Sequence, residues 1–334
     1  MQFYPLVFEP IIKDRIWGGT KLQTVLGKPI PDGITHAGES WELSAVPGNV
    51  SIVKNGPLKG WALDELIKRY PREILGDHVY DRFGTEFPLL IKFIDAREDL
   101  SIQVHPDDEL AQKRHNCMGK TEMWYVMDAE EGTRIIVGFK KNSSPEEYMA
   151  HLQNKTLGEL LNQVPTKKGD VFFLAPGTVH AIGAGTLIAE IQQTSDITYR
   201  VYDWDRKDAE GNSRELHIDL ALKAINYGMV NAHIKYDALP NRCNRIVRCL
   251  VFATNILPLN GELHIQSDPS SFRIYICTEG NYELLYRGDC YQFSQGDTVL
   301  IPASLEQLCI RGNACLLEVY IADSDHEAMP ETTA

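Results

Sequence analysis

Short runs rich in Val, Ile, Phe and Tyr recur along most of the chain, separated by turn residues such as Gly, Pro, Asn and Asp. Runs of that length and spacing predict β-strands. The clearest are Phe87–Ile94, Met123–Met127, Thr133–Val137, Asp170–Leu174, Leu187–Gln192, Ser271–Thr278 and Thr298–Ile301. Strands at this density predict a sandwich or a barrel, so the expected fold is mainly β. A few segments carry helical spacing instead. Ala62–Arg69 places Leu63, Leu66 and Ile67 on one face. Ser144-Pro145-Glu146-Glu147 has the form of a capping box, with Ser144 as N-cap and Pro145 at the first helical position. Thr156 and Glu159 repeat the box, and Asp107–Arg114 and the region Ile218–Ile225 predict two more short helices.

One stretch occurs twice. Gly169-Asp170-Val171-Phe172-Phe173-Leu174-Ala175-Pro176 is matched by Gly296-Asp297-Thr298-Val299-Leu300-Ile301-Pro302. Both read as a Gly-Asp turn, an apolar strand and a Pro turn, which predicts two related barrels. The expected organisation has four parts. Residues 1–84 supply strands and a helix that pack on the first barrel, and residues 85–239 form that barrel with helical insertions. Residues 240–322 form the second barrel, and 323–334 a flexible acidic tail. Only the first copy leads on to a histidine, His180. The second continues as Ala303-Ser304-Leu305-Glu306, so it is expected to keep the scaffold without the chemistry.

The candidate chemistry lies in the first barrel. Leu100-Ser101-Ile102-Gln103-Val104-His105-Pro106 alternates apolar and polar residues, which puts Ser101, Gln103 and His105 on one face of a strand. Three polar side chains facing a barrel interior cost a few kcal/mol each unless they find partners. A metal ion and a polar substrate would be such partners. Glu122 starts the next strand, and His180 follows the Pro176-Gly177 turn. Gln103, His105, Glu122 and His180 thus offer an amide oxygen, two imidazoles and a carboxylate. That donor set suits catalytic zinc or non-haem iron. The lack of a thiolate argues against a structural zinc site.

The formal net charge of −13 over 334 residues argues against nucleic acid as a partner. It leaves room for a small anionic substrate in a local basic pocket. No apolar stretch reaches the ~18 residues of a membrane-spanning helix, and the first residues lack the form of a signal peptide. The seven cysteines form no C-x-x-C pair, so they are expected to be reduced thiols in a cytoplasmic protein.

Ser101–Pro106, Lys120-Thr121-Glu122-Met123-Trp124, Ala175–Ala181 and Asp196-Ile197-Thr198-Tyr199-Arg200-Val201-Tyr202-Asp203-Trp204 together resemble the type I mannose-6-phosphate isomerases, in their shorter bacterial form. Trp17-Gly18-Gly19 and Gly38-Glu39-Ser40-Trp41-Glu42 are similar to that family as well, and the likeness runs from about residue 5 to about residue 322. The resemblance implies a duplicated cupin (jelly-roll) fold with a few inserted helices. It also implies one zinc ion per chain, held by Gln103, His105, Glu122 and His180. It places the family's catalytic arginine on Arg200 and further active-site positions on Lys120, Ser101 and Glu190. Glu190 lies in the apolar run Leu187-Ile188-Ala189-Glu190-Ile191, where burial demands a partner, and Arg200 is the expected one. Lys92, inside the apolar run Leu90-Ile91-Lys92-Phe93, is either a snorkelling stem or a pocket cation. Longer isomerases carry a Pro-Lys pair soon after the arginine. Here Tyr202-Asp203-Trp204-Asp205-Arg206 stands instead, with Arg206 as the candidate replacement at the phosphate.

The implied activity is the interconversion of mannose 6-phosphate and fructose 6-phosphate through an enediolate. The expected partner is a small sugar phosphate, and the chain is expected to be a monomer or a weak homodimer. Three other readings share the donor set. They are an isomerase of another, unphosphorylated sugar, a non-catalytic sugar-binding cupin, and an iron-dependent cupin oxygenase. Gln103 and Arg200 count against the oxygenase.

Overall fold

The computed structural model describes residues 1–208 and 210–323; most of the acidic tail expected beyond Ala322 lies outside them. Strands dominate. In chain order the first are β1 (Ile11–Gly19), β2 (Ala37–Leu43), β3 (Ala45–Val46), β4 (Asn49–Val50), β5 (Leu89–Ala96), β6 (Ile102–Val104) and β7 (Glu122–Ala129). Then come β8 (Arg134–Phe139), β9 (Leu161–Pro165), β10 (Val171–Leu174), β11 (His180–Ile182), β12 (Thr186–Gln193), β13 (Tyr199–Tyr202) and β14 (His233–Ile234). The C-terminal third adds β15 (Asn244–Arg248), β16 (Ala253–Gln266), β17 (Arg273–Tyr286), β18 (Asp289–Ser294), β19 (Thr298–Ile301) and β20 (Gln307–Tyr320).

Two antiparallel sheets form the first cupin unit. One runs β1-β2-β5-β12-β7-β10-β14 and the other β13-β6-β11-β8-β9. Strands alternate their side chains between two faces, and this sorts the residues of the larger sheet. Phe93, Met123, Tyr125, Ala189 and Ile191 face away from the first interior and join a core shared with the second unit. Ile94, Trp124, Val126 and Ile188 face inward, against Ile135, Val137 and Ile182 of the smaller sheet. The same sorting puts Ile102 and Val104 on the outer face of the smaller sheet, under Tyr148, Leu157, Leu160 and Ala221 of the inserted helices.

The N-terminal residues, expected to pack on the first barrel, do more than that. Their strands β1 and β2 are hydrogen-bonded into its larger sheet beside β5. They also reach the second unit, where Leu6 forms a bridge with Leu300. Helices Leu63–Arg69, Asp108–His115 and Pro145–Gln153 start within a residue or two of their expected positions. Ser144 caps the last of these by accepting from the Glu147 N–H, but Glu147 turns to Ser143 and Lys141 instead of closing the box. Thr156 starts a four-residue helix without a side-chain cap. Helices Pro71–Leu75 and Asp77–Phe83 were not expected, because each is too short to show a period.

The second unit is a sheet of order β15-β16-β20-β17-β18, with β19 on β17. The sequence repeat is a structural repeat. Gly169 and Gly296 both take positive φ, 89° and 92°, as the tight turn into the strand requires. Asp170 accepts from the Lys167 N–H and Asp297 from the Ser294 N–H. The strands that follow then pair in equivalent register. Leu174 lies opposite Glu122, and Ile301 opposite Arg273; Phe172 lies opposite Trp124, and Val299 opposite Tyr275.

A buried ion pair ties the two units. The Lys28 ammonium lies 2.6 Å from Glu42 and donates to the Gly296 carbonyl at 2.7 Å, while Ser40 donates to Glu42 at 2.6 Å. Glu42→Ala would leave an uncompensated ammonium in the interior. The expected loss is about 3–5 kcal/mol of unfolding free energy in urea, and much of it should return when Lys28→Met is added.

Candidate metal centre and substrate cavity

Four short segments bring the donors together inside the first unit. Gln103 is the inward residue of β6, and His105 leaves the end of that strand. Glu122 opens β7, and His180 opens β11 directly across from Gln103. The turn before His180 is set by Gly177, at φ 85°, where an added Cβ would lie 2.7 Å from the Ala224 carbonyl oxygen. The Gly177 N–H also donates to the His105 carbonyl at 2.9 Å, so one turn holds both histidine segments.

His105, Glu122 and His180 are buried and their donor atoms lie within 4.8 Å of one another. His180 Nε2 is 3.2 Å from Glu122 Oε1, and His105 Nε2 is 3.6 Å from Oε2. Each imidazole contacts a backbone carbonyl through Nδ1, His105 that of Ile197 and His180 that of Thr178, both at 2.8 Å. Donation there leaves the Nε2 lone pairs aimed at the carboxylate, the arrangement in which metal-ligating histidines are held. The Lys120 ammonium lies 2.8 Å from Glu122 Oε2 and 3.2 Å from His105 Nε2. A buried carboxylate and two imidazole lone pairs that converge on one positive charge fit a cation. The Gln103 amide nitrogen is 3.3 Å from His180 Nε2, and a half-turn of the amide brings its oxygen to that place.

Electrostatics match this crowding. Burial, with the Lys120 and His180 charges, holds His105 well below its usual pKa; burial holds His180 at about 4. Burial and the nearby Glu190 raise Glu122 to about 7, despite the Lys120 ammonium 2.8 Å away. Lys120 is raised, because Glu122 and Glu190 outweigh its own burial. Burial pushes Glu190 up, but Lys120 and Lys92 outweigh it and hold its pKa low. Lys92 is 3.1 Å from Glu190, and the Trp124 indole donates to the same carboxylate at 2.8 Å. The sequence pointed to Arg200 as the partner of Glu190, but Lys92 and Trp124 fill that role. Arg200 instead donates to the Glu215 carbonyl at 3.0 Å.

A cavity of about 640 Å³ opens beside the donors. Of the residues expected from sequence, Lys92, Ser101, Gln103, Lys120, Glu190 and Arg200 line it. Arg206 does not. Its guanidinium is turned to the Asp99 carbonyl and lies near Glu98 and Asp203, so the proposed replacement at the phosphate is spent elsewhere. Lys13, Arg15, Trp41 and Arg214 line the cavity without having been expected. The alternation Lys13, Arg15, Trp17 on β1 was a readable signal for two of them. Arg214 sits in a polar loop with no pattern to mark it.

The second unit carries other side chains at the matching positions. By the shared register Arg273 stands where Glu122 stands, Tyr275 where Trp124 stands, and Glu318 where Glu190 stands. Glu318 is satisfied by Arg273 at 3.2 Å, Tyr275 at 3.0 Å and Asn255 at 2.8 Å. An arginine at the position of the carboxylate donor fills this place in the second unit with a protein cation.

A profile of the phosphomannose isomerase type I catalytic domain matches residues 6–141, and one of the mannose-6-phosphate isomerase cupin domain matches residues 244–321. Mannose-6-phosphate isomerase ManA of Bacillus subtilis is 38% identical over 314 residues, 93% of this chain and 96% of that protein. The mannose-6-phosphate isomerase of Streptococcus mutans is 36% identical over 96% of this chain and 98% of its own. The chain belongs to the type I phosphomannose isomerase family. The crystal structure of the Bacillus subtilis mannose 6-phosphate isomerase superposes with a TM-score of 0.87 at 36% identity, covering 95% of this chain and 99% of that one. Membership of the family confirms the expected duplicated cupin fold and makes the chain an enzyme of the aldose–ketose isomerase type.

The pH dependence of the metal-free protein has two arms of opposite sign. Burial holds the folded-state pKa of His180 below its ordinary value of 6.5, at about 4. Its contribution, roughly 3 kcal/mol, is therefore present above pH 6.5 and lost as pH falls toward 4. Glu122 is raised from 4.5 to about 7, so its contribution is present below pH 4.5 and lost as pH rises through 7. In urea unfolding across this range, His180→Asn should flatten the acid arm and Glu122→Gln the neutral one.

Proposed function

We propose that this chain is a zinc-dependent isomerase that interconverts mannose 6-phosphate and fructose 6-phosphate in the cytoplasm, as a monomer or weak homodimer. The observation that carries the reading is a buried His–Glu–His donor set beside a cavity lined by Gln103, Lys120 and Arg200, in a chain whose relatives, matched over nearly their whole length, bear that activity in their names. All seven cysteines are free, in keeping with a reducing compartment.

His105, Glu122 and His180 would hold the ion, with Gln103 as a fourth ligand through its amide oxygen. Two imidazoles and a carboxylate without thiolate suit catalytic zinc. When bound, zinc supplies a Lewis acid that does not change redox state. The reaction moves one proton between C1 and C2 and another between their oxygens, through an enediolate. Arg200 is half-buried, and burial and the Arg214 charge lower its pKa without discharging it. Its fixed charge is placed to stabilise the enediolate, an effect worth a few kcal/mol in a site that excludes water. Lys120 and Glu190, 4.0 Å apart on the cavity wall, are the groups that handle the protons. Ser101 and Lys92 face the same space and orient the sugar, Lys92 also fixing Glu190.

The purified protein should carry close to one zinc per chain by elemental analysis. It should form fructose 6-phosphate from mannose 6-phosphate in a coupled assay and lose that activity to a chelator. Zinc-loaded protein that makes no product would overturn the assignment. Arg200→Ala should retain the zinc and lose on the order of 10²-fold or more in kcat.

A further inference from the structure

The residue expected at the phosphate, Arg206, faces away from the cavity, yet the cavity is rich in cations. In a chain with a net charge of −13, its lining includes Lys13, Arg15, Lys92, Lys120, Arg200 and Arg214. Two of these are committed to the buried end, Lys92 to Glu190 and Lys120 to Glu122. Their side chains are only 8% and 5% exposed. The other four lie toward the opening, where Arg15 and Arg214 are 35% and 27% exposed.

These four come from elements that face each other across the mouth. Lys13 and Arg15 are on β1, an edge strand of the larger sheet. Arg200 is on β13, an edge strand of the smaller one, and Arg214 follows in the loop. Arg15 is held by both oxygens of Glu39 at 3.0 and 3.1 Å, and Arg214 by both oxygens of buried Asp203. Each guanidinium is thereby fixed in orientation with donors still unassigned. Lys13 and Arg200 have no carboxylate partner among the described residues. Lys13 donates to Asn49 and lies over the Trp41 ring at 4.8 Å, and the buried Arg200 Nε has no acceptor. The lining also holds Asp14, Glu39, Glu190 and Asp196, but Lys13 and Arg200 are left without a paired carboxylate, and a dianion among the four cations would take donors that Glu39 and Asp203 leave open.

We propose that Lys13, Arg15 and Arg214 form the seat of the substrate's phosphate, with Arg200 between that seat and the metal donors, and that this seat selects phosphorylated over free aldoses. Arg200 lies opposite Gln103 in the β13–β6 ladder, where paired Cα atoms are about 5 Å apart. A six-carbon chain can therefore present C1 and C2 to the donors while its C6 phosphate reaches the mouth. The proposal rests on the sugar-phosphate reading above. It replaces Arg206, and the lysine that longer isomerases carry, with cations contributed by the N-terminal edge strand and the loop after β13.

The test compares wild type with Lys13→Met, Arg15→Met and Arg214→Gln. It uses steady-state kinetics on mannose 6-phosphate and on free mannose, inhibition by inorganic phosphate, zinc content and thermal midpoint. Lys13→Met breaks no ion pair and guards against misfolding in the arginine variants. Each variant should raise KM for mannose 6-phosphate and Ki for inorganic phosphate about tenfold or more, with kcat within a few-fold and zinc retained. The value of kcat/KM for free mannose should stay unchanged. An unaltered KM and Ki in Lys13→Met and Arg214→Gln would overturn the seat, as would an equal loss on both sugars. A wild type that never converts mannose 6-phosphate would instead overturn the reading on which the seat rests.

Discussion

Charge buried inside the first cupin unit must be paired, and that need organises the site. Glu122, Glu190, Lys92, Lys120, His105 and His180 all lie within a barrel interior that is otherwise Trp, Ile and Val. Isolated ions in such surroundings cost several kcal/mol each, so they occur as a connected set. Glu190 is neutralised by Lys92 and anchored by Trp124. Glu122 is faced by the Lys120 ammonium at 2.8 Å and by both imidazoles. The two carboxylates and two ammoniums thus balance, and the imidazole lone pairs that meet beside Glu122 are what a divalent cation would engage.

The second unit solves the same problem with protein groups only. It keeps a carboxylate at the matching place in its middle strand, Glu318 for Glu190, but neutralises it with Arg273 from the position of Glu122. A buried carboxylate on that strand therefore belongs to the duplicated scaffold as much as to chemistry. On this strand the two units differ at one telling position, a glutamate that invites a cation or an arginine that supplies one. The second unit contributes to the core behind the larger sheet, backing the strands that carry Glu122 and Glu190.

Much of this was legible in the chain. Period-two alternation located Ser101, Gln103 and His105 on one face, and the Gly-Asp repeat located both units. His105, Glu122 and His180 could be named as candidate donors because each stands at a strand end, near Pro106, Gly119 or the Pro176-Gly177 turn, where local pattern is strong. Partners were harder. Glu190 was paired with Arg200 by proximity in sequence, whereas β12 lies between β5 and β7, which makes Lys92 and Trp124 its neighbours. Arg206 looked available because it follows Arg200 closely. The turn at Trp204 and Asp205, both at positive φ, swings it to Asp99 and away from the cavity.

The sequence by itself determined most of the strands, the duplication and a set of candidate metal donors, because alternation and turn chemistry act over a few residues. Only the tertiary structure decided which charges meet. Lys13 and Arg15 stand about 190 positions before Arg200 and Arg214, and face them only because two sheets close over a shared interior. Long-range pairing of that kind leaves no local period to read, since register between distant strands is set by the packing of the whole fold.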